Sequence, residues 1–402
     1  MSISVQERYF SWNRILLLAV GLWPYHQSRF ARFQAALCLS SLTSFIVFVL
    51  SRLYFVEYSF EFTINLLCMS MYFTFLLIKY ISFWINIETI KYLLEQFQYI
   101  YKRLKDSKEI AIYNKYGNIG KRITVGFIIV AICDLACLIA MQCWPFIFDM
   151  IMPKNVTYAR HLIVTVTKYF AIQEKHFYLV FLHLNAVAVV GGFSFLAIGT
   201  MLLSCFKHIC GMFRIASYRF EHAITITLQS ITLKNKTMVY KEVICAVDIH
   251  RKATEFAIFL EKSMDRSFFI IIMVIVLCMS FNLYGIFQIE SPMQEIEKTT
   301  EHLLFIIFIF IYMFVGNYIG QEITDYNHHV FLIVYNVPWY LAPLQIQKLI
   351  LFLLQRNNKV FTLTIGGLFT LSLECFASVK LYIYRYINNT YVQCSKIRRK
   401  IN

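Results

Sequence analysis

Six Lys, Arg, Asp and Glu side chains fall inside long apolar runs: Arg52, Lys79, Asp134, Glu374, Lys380 and Arg385. An unpaired carboxylate near the middle of a bilayer costs roughly 3 kcal/mol or more. Asp134 is therefore expected to be neutral, hydrated or hydrogen-bonded, with a structural role. Arg52 and Lys79 lie near the ends of their runs, where long side chains reach the interface and keep the charge wet. His250, His302 and the pair His328-His329 have no metal-ligand spacing, and no nucleophile motif stands out, so enzyme chemistry, a metal and a cofactor are not indicated. Eleven Cys are scattered, most within apolar runs where a thiol behaves as a small hydrophobe.

A second set of residues suits binding rather than catalysis. Met69, Tyr72 and Phe73 lie at helical spacing in one run, Cys137, Met141 and Trp144 in the next, His183 and Val187 in a third, and Phe281 and Tyr284 in a fourth. An apolar cavity with few polar groups gains from burying the area of a small ligand, and Met adapts to its shape. Tyr72, His183, Tyr284 and the Trp144 indole could each offer a polar handle. The same stripes also fit plain helix packing, and a histidine bonded to a neighbour is the more ordinary role for His183.

These residues need helices in lipid to position them. The 402 residues are 59% hydrophobic, 17% aromatic and only 15% charged, well above the roughly 45–50% apolar content of soluble domains. The net charge of +15 is spread between apolar runs rather than gathered on one basic face, which points to membrane topology and away from nucleic acid. A helix needs about 20 apolar residues to span. Seven segments qualify, at about 35–56, 62–84, 123–148, 177–203, 267–289, 302–320 and 364–387. The run from Val330 to Leu354, broken by Pro338 and Pro343, reads as a cytosolic helix. Arg14 and the apolar stretch Ile15 to Trp23 read as a short helix on the membrane surface.

Basic residues collect on the cytosolic side, and 25 of the 38 Lys and Arg fall in the N-terminal segment and every second connection, against nine on the other side. The fold class is therefore an all-α integral membrane protein with seven transmembrane helices, N-terminus cytosolic and C-terminus extracellular. That topology is the reverse of a G-protein-coupled receptor. The sequon at Asn155 lands outside and is a glycosylation candidate; the basic tail Lys396 to Lys400 is the one departure from the charge rule. Helical patterning in Ile90–Leu104 and Val239–Leu260 extends the spans into the cytosol. The expected organisation is a cytosolic or membrane-surface segment 1–34, six spans with extensions over 35–320, an anchor helix over 321–363, a seventh span over 364–393 and an outer tail 394–402.

From Gly316 to about Tyr386 the chain resembles the C-terminal signature of the insect odorant receptor family. The resemblance runs through Gly316-Asn317-Tyr318-Ile319-Gly320-Gln321, Val334-Tyr335-Asn336-Val337-Pro338-Trp339-Tyr340, Ala342-Pro343-Leu344-Gln345-Ile346-Gln347-Lys348-Leu349, Gly366-Gly367-Leu368-Phe369 and Ser372-Leu373-Glu374-Cys375-Phe376. It is most like the receptors of ants and related insects, and its length matches a ligand-specific subunit. The resemblance implies a non-selective cation channel gated by a small volatile ligand bound in the outer halves of the helices. It implies a heterotetramer with co-receptor subunits in the plasma membrane of sensory neurons. Tyr335, Trp339, Tyr340 and Gln347 would belong to the subunit anchor. The last helix would line the pore, with Tyr382, Tyr386, Asn389 and Gln393 on one face. Here the chain departs from its relatives, which have small and apolar residues where this one carries Lys380, Arg385 and Asn389. The competing readings are a gustatory-type channel for a less volatile compound and a transporter, although internal repeats and paired midplane breaks are absent.

Overall fold

The computed structural model describes residues 4–55, 60–151, 176–229, 233–289, 296–356 and 361–401. Short helices α1 (Val5–Tyr9) and α2 (Ser11–Ala19) precede α3 (Arg29–Phe55), α4 (Phe60–Ile85) and α5 (Ile87–Arg103). Three long helices follow, α6 (Ser107–Ile151), α7 (Phe177–Gln229) and α8 (Leu233–Gln288), and then α9 (Ile296–Asn336). A 3-10 turn at Trp339–Leu341, α10 (Leu344–Arg356), a two-stranded hairpin and α11 (Leu373–Ile401) complete the chain.

Six of the described helices, α3, α4, α6, α7, α8 and α9, are long and apolar enough to cross a membrane. Helix α11 has the length, at 29 residues, but carries Lys380, Arg385 and a basic end; α10 is apolar but has only 13 residues. The long connections expected to hold helix are helix: α7 runs unbroken for 53 residues and α8 for 56, so about 80 Å each at 1.5 Å per residue. Such helices outrun a hydrocarbon core of about 30 Å. Their excess forms a second bundle at the end of the molecule where α2, α5 and α10 gather, here called basal; the opposite end is apical.

Central α7 packs against α6, α8 and α9, and α4 lies along α8. In the basal bundle charges are paired. Lys207 on α7 meets both carboxylate oxygens of Glu322 on α9 at 2.6 Å, and Arg219 grips Glu109 through two nitrogens at 2.5 and 2.9 Å. His250 Nε2 and Asn327 Oδ1 are 2.9 Å apart. The Tyr218 hydroxyl donates to Asp106 at 2.7 Å, a bond that holds the Asp106 carboxyl below its usual range.

The N-terminal helix is more deeply seated than a surface helix. Asn13 on α2 is fully buried and donates to Thr200 at 3.1 Å and Thr124 at 3.3 Å, while Ile15 on the opposite face stays exposed. Amphipathicity is what the sequence shows, and a protein groove satisfies it as well as a lipid surface does.

The seventh helix starts later than its apolar run. Residues 364–370 form a hairpin pairing Thr364 with Thr370 and Ile365 with Phe369. Its turn places Gly366 and Gly367 at φ +61° and +65°, the left-handed pair a type I′ turn requires and a helix forbids. Among the described residues this hairpin is the one strand pairing, and the rest of the regular structure is helical. Helix α9 likewise continues to Asn336 and breaks at Pro338, so the run expected as one cytosolic helix is the foot of α9, a turn and α10.

Candidate ligand-binding seam

Three helices bring aromatic rings together in the apical half. Helix α4 contributes Tyr72 and Phe75, one turn apart on one face; α9 contributes Phe305, Phe308, Ile309 and Tyr312; α8 contributes Val274, Ile275 and Cys278. These nine residues line a cavity of about 10 Å³, room for about one water. The rings close it. Tyr72 lies 5.4 Å from Phe305 and 5.5 Å from Phe308, both edge-on. Phe75 meets Tyr312 edge-on at 5.0 Å, and Phe195 from α7 joins Phe308 at 5.4 Å. Edge-to-face pairs favour this geometry by about 0.5–1.5 kcal/mol each. They do not lock it, because a ring can turn about two side-chain bonds while the backbone stays still.

Polar groups stand at both ends of the seam. On the apical side, His302 Nδ1 and Asn282 Oδ1 are 3.0 Å apart, and Asn282 Nδ2 donates to the Cys278 carbonyl. Gly285 permits this meeting, since a Cβ there would fall 2.4 Å from His302 Nε2. On the basal side is Lys79, one turn from Phe75 on the same face of α4. Its Nζ sits 4.8 Å from the Tyr312 ring centroid and 5.0 Å from that of Phe268. The residue is 8% exposed, so most of it is packed inside the chain rather than extended along a surface as its place near a span end suggested. Among the described residues its amine contacts those two rings and no carboxylate. Cation–π contacts supply about 0.5–2 kcal/mol each, less than the several kcal/mol that burying an ammonium costs.

The seam gathers some of the sequence-derived candidates and leaves others apart. Tyr72 lines the cavity, while Met69, Phe73 and Val187 pack in the same apolar cluster. Phe73 turns to the other side of α4 and meets Phe45 edge-on at 4.7 Å. His183 also faces α3, with Nε2 3.1 Å from Ser44 Oγ and its ring against Phe45. Phe281 is half-buried, and Tyr284 is 40% exposed and accepts a bond from Gln288. Cys137 is exposed on α6, as is Asp134, which lies within electrostatic reach of Tyr72. The side chains of Met141, Trp144 and Gln393 lie outside those described, and Asn155 lies outside the described residues.

The α9 face went unnamed in the sequence because α9 is apolar all round, so its periodicity does not select a side. Residues 305, 308 and 312 do carry the i, i+3, i+7 spacing, and that signal becomes readable once α4 offers Tyr72 and Phe75 opposite.

The last helix meets the bundle through α9 and the hairpin. Gly320 lets Leu371 pass, since a Cβ on Gly320 would lie 2.2 Å from that of Leu371. Asn317 accepts the Ser372 amide at 3.1 Å, and Ser372 in turn caps α11 by accepting the Cys375 amide at 3.1 Å. From α8, Asp265 accepts the Gly366 amide at 2.6 Å, and Glu261 accepts both the amide and the hydroxyl of Thr364. Glu374 falls in the first turn of α11, where a carboxylate favours the helix dipole. Tyr382, Tyr386 and Asn389 are all exposed on the single chain.

Helix α10 presents Leu344, Leu351 and Phe352 outward beside Tyr335 and Tyr340. Trp339 is half-buried in the turn, and Gln347 donates to the carbonyls of Tyr340 and Ala342, tying the turn to α10.

Six apolar spans, a basal bundle and a ring-lined seam define a multi-pass helical membrane receptor. The family model described as 7tm odorant receptor matches residues 59–384, and the chain belongs to that family. Among solved structures it is similar to the insect olfactory receptor OR5 from Machilis hrabei, at 14% identity and a TM-score of 0.71, covering 96% of this chain and 97% of that one. The same receptor in complex with eugenol gives 13% identity, a TM-score of 0.70, and 96% and 98% coverage. No curated protein sequence matches. The family is one of receptors and not of enzymes.

Proposed function

We propose that this odorant receptor is the ligand-specific subunit of a non-selective cation channel, opened by a small volatile that enters the apical seam. The observation that carries the reading is the junction between seam and last helix. Helices α8 and α9 both line the cavity, and both hold the hairpin that starts α11, through Glu261, Asp265, Asn317 and Gly320. A ligand that parts the α4 and α9 rings beside the α8 wall presses on α8 and α9 together, and so shifts both grips on the hairpin at once. A cavity of about 10 Å³ cannot take an odorant without such parting.

In this reading the basal bundle is cytosolic, with the N-terminus inside and the C-terminus outside, as the distribution of basic residues requires. Tyr382, Tyr386, Asn389 and Gln393 line the pore, and the outward apolar side chains of α10 with Tyr335, Trp339, Tyr340 and Gln347 form the anchor between subunits. Met69, Tyr72, Phe73, Cys137, Met141, Trp144, His183, Val187, Phe281 and Tyr284 form the broader ligand region, and Asn155 carries glycan on the outer side. The partners are co-receptor subunits in a heterotetramer, and the setting is the plasma membrane of sensory neurons.

The test is expression with and without a co-receptor, surface delivery checked, while current is recorded across an odorant panel. Odorant-evoked inward current only with the co-receptor supports the reading. A delivered protein that is silent to the panel in both settings overturns the channel assignment.

A further inference from the structure

We propose that Lys79 is the headgroup site of the seam, and that the chain binds ligands carrying a carboxylate on a small apolar or aromatic body. The proposal rests on the seam being the ligand site and adds the chemical class of ligand.

Two independent observations meet at this residue. One is the cavity, whose lining is otherwise aliphatic, aromatic and thiol, with Tyr72 and Tyr312 supplying hydroxyls. The other is a buried ammonium with no hydrogen-bond or ion-pair partner among the described residues, touching the Tyr312 ring that forms the cavity wall. Tyr72, Phe75 and Lys79 follow at i, i+3 and i+7 on α4, so the amine stands one turn basal of the cavity lining, against the Tyr312 ring that belongs to that lining.

Two cations of the basal bundle, by contrast, have a carboxylate: Lys207 has Glu322 and Arg219 has Glu109. Lys79 has rings alone. No carboxylate forms an ion pair with Lys79 among the described residues, and Asp134 is exposed on α6. At the apical end, by contrast, Asn282 and His302 already satisfy each other. Of the polar groups at the two ends of the seam, the Lys79 amine is the strong donor without a hydrogen-bond partner among the described residues. A carboxylate suits that donor best, because a charge-assisted bond in a dry site is about twice as strong as a neutral one.

The probes are a volatile short-chain carboxylic acid, its methyl ester, and the alcohol and alkane of equal carbon number, with a long-chain fatty acid as the membrane-derived source of the same headgroup. The full chain is expressed with a co-receptor for current, and purified alone for binding of the radiolabelled acids. Variants are Lys79→Met and Lys79→Arg, each checked for surface delivery and thermal stability.

The expected result is that Met at 79 raises the half-maximal acid concentration about tenfold or more, leaves alcohol and alkane responses within about threefold, and that Arg restores the acid. Preference for the long-chain acid with the same dependence keeps the site and moves the ligand's source to the membrane. Acid binding that depends on Lys79 without current in any pairing keeps this proposal and overturns the channel reading. Acid responses equal in the native chain and a folded Lys79→Met variant, or no acid binding to the folded native chain, overturn the proposal.

Discussion

The basal bundle and the apical seam are built from the same long helices, yet they treat polarity in opposite ways. Basal helices place cations against carboxylates and polar side chains in hydrogen bonds, as with Lys207 and Glu322, Arg219 and Glu109, and Asn13 with Thr124 and Thr200, with the His208 Nδ1 left buried among rings. The seam has rings, a small void and one lysine without a counter-ion. Bonded networks have one low-energy arrangement and resist shear; ring contacts are many, weak and interchangeable. The difference assigns rigidity to one end and adaptability to the other, which a receptor needs if a small ligand is to move helices against a fixed base.

The comparison breaks most sharply at the Lys207–Glu322 pair. Lys207→Met leaves Glu322 largely buried and without its cation, and removing one partner of a buried pair costs about 3–5 kcal/mol. We expect a large fall in thermal stability of the purified protein and poor surface delivery. Adding Glu322→Leu should recover much of the loss, because the desolvation of both charges goes with them. If the single variant melts at the native temperature, the basal bundle is no firmer than the seam.

Gly320 sits on the boundary between the two regions. A methyl there meets the Leu371 carbonyl oxygen at 2.5 Å as well as its side chain, and overpacking of this kind costs about 1–3 kcal/mol. Gly320→Ala should shift the hairpin away from α9, so ligand binding to purified protein persists while evoked current falls several-fold. Equal loss of both would mean that the substitution damages the seam itself and not the link to α11.

Within the seam the changes should be milder and should read out as selectivity. Phe75→Leu keeps the site apolar but removes ring volume from a buried side chain, and should cost about 1–2 kcal/mol. It removes the edge-on contact with Tyr312 at 5.0 Å. Potency is expected to move toward bulkier ligands, measured as a change in the rank order of half-maximal concentrations. An unchanged rank order with lower stability would place Phe75 in the rigid part of the molecule.

The two regions also differed in how far the sequence disclosed them. The basal helices were legible because charges between apolar positions mark one face, as in Ile90–Leu104, and α5 is found at Ile87–Arg103. The seam was legible on α4, where Tyr72 was named, and hidden on α9, whose uniform apolarity selects no face. Lys79 was misplaced because a lysine near the end of a span is usually free to reach the surface; only the positions of Phe268 and Tyr312 show that this one is walled in. The hairpin was concealed in an apolar run that counts as membrane span by hydropathy, although Gly366-Gly367 is the turn signal that marks it.

His183 gives the smallest effect and bounds the seam. Its Nε2 lies 3.1 Å from Ser44 Oγ, between α7 and α3, with Phe45 edge-on at 5.4 Å, and it does not line the cavity. Hydrogen bonds between membrane helices average about 0.6 kcal/mol, so Ser44→Ala should cost little, the ring contact with Phe45 remaining. Ligand potency should stay within about threefold of native, since that energy is less than a tenfold change in affinity. A shift of tenfold or more for small ligands would extend the adaptable region across α7 to α3, and His183 would then act on ligand rather than as a packed histidine. No shift for small ligands but a clear one for longer ones would mark the α3–α7 contact as the far wall reached only by an extended body.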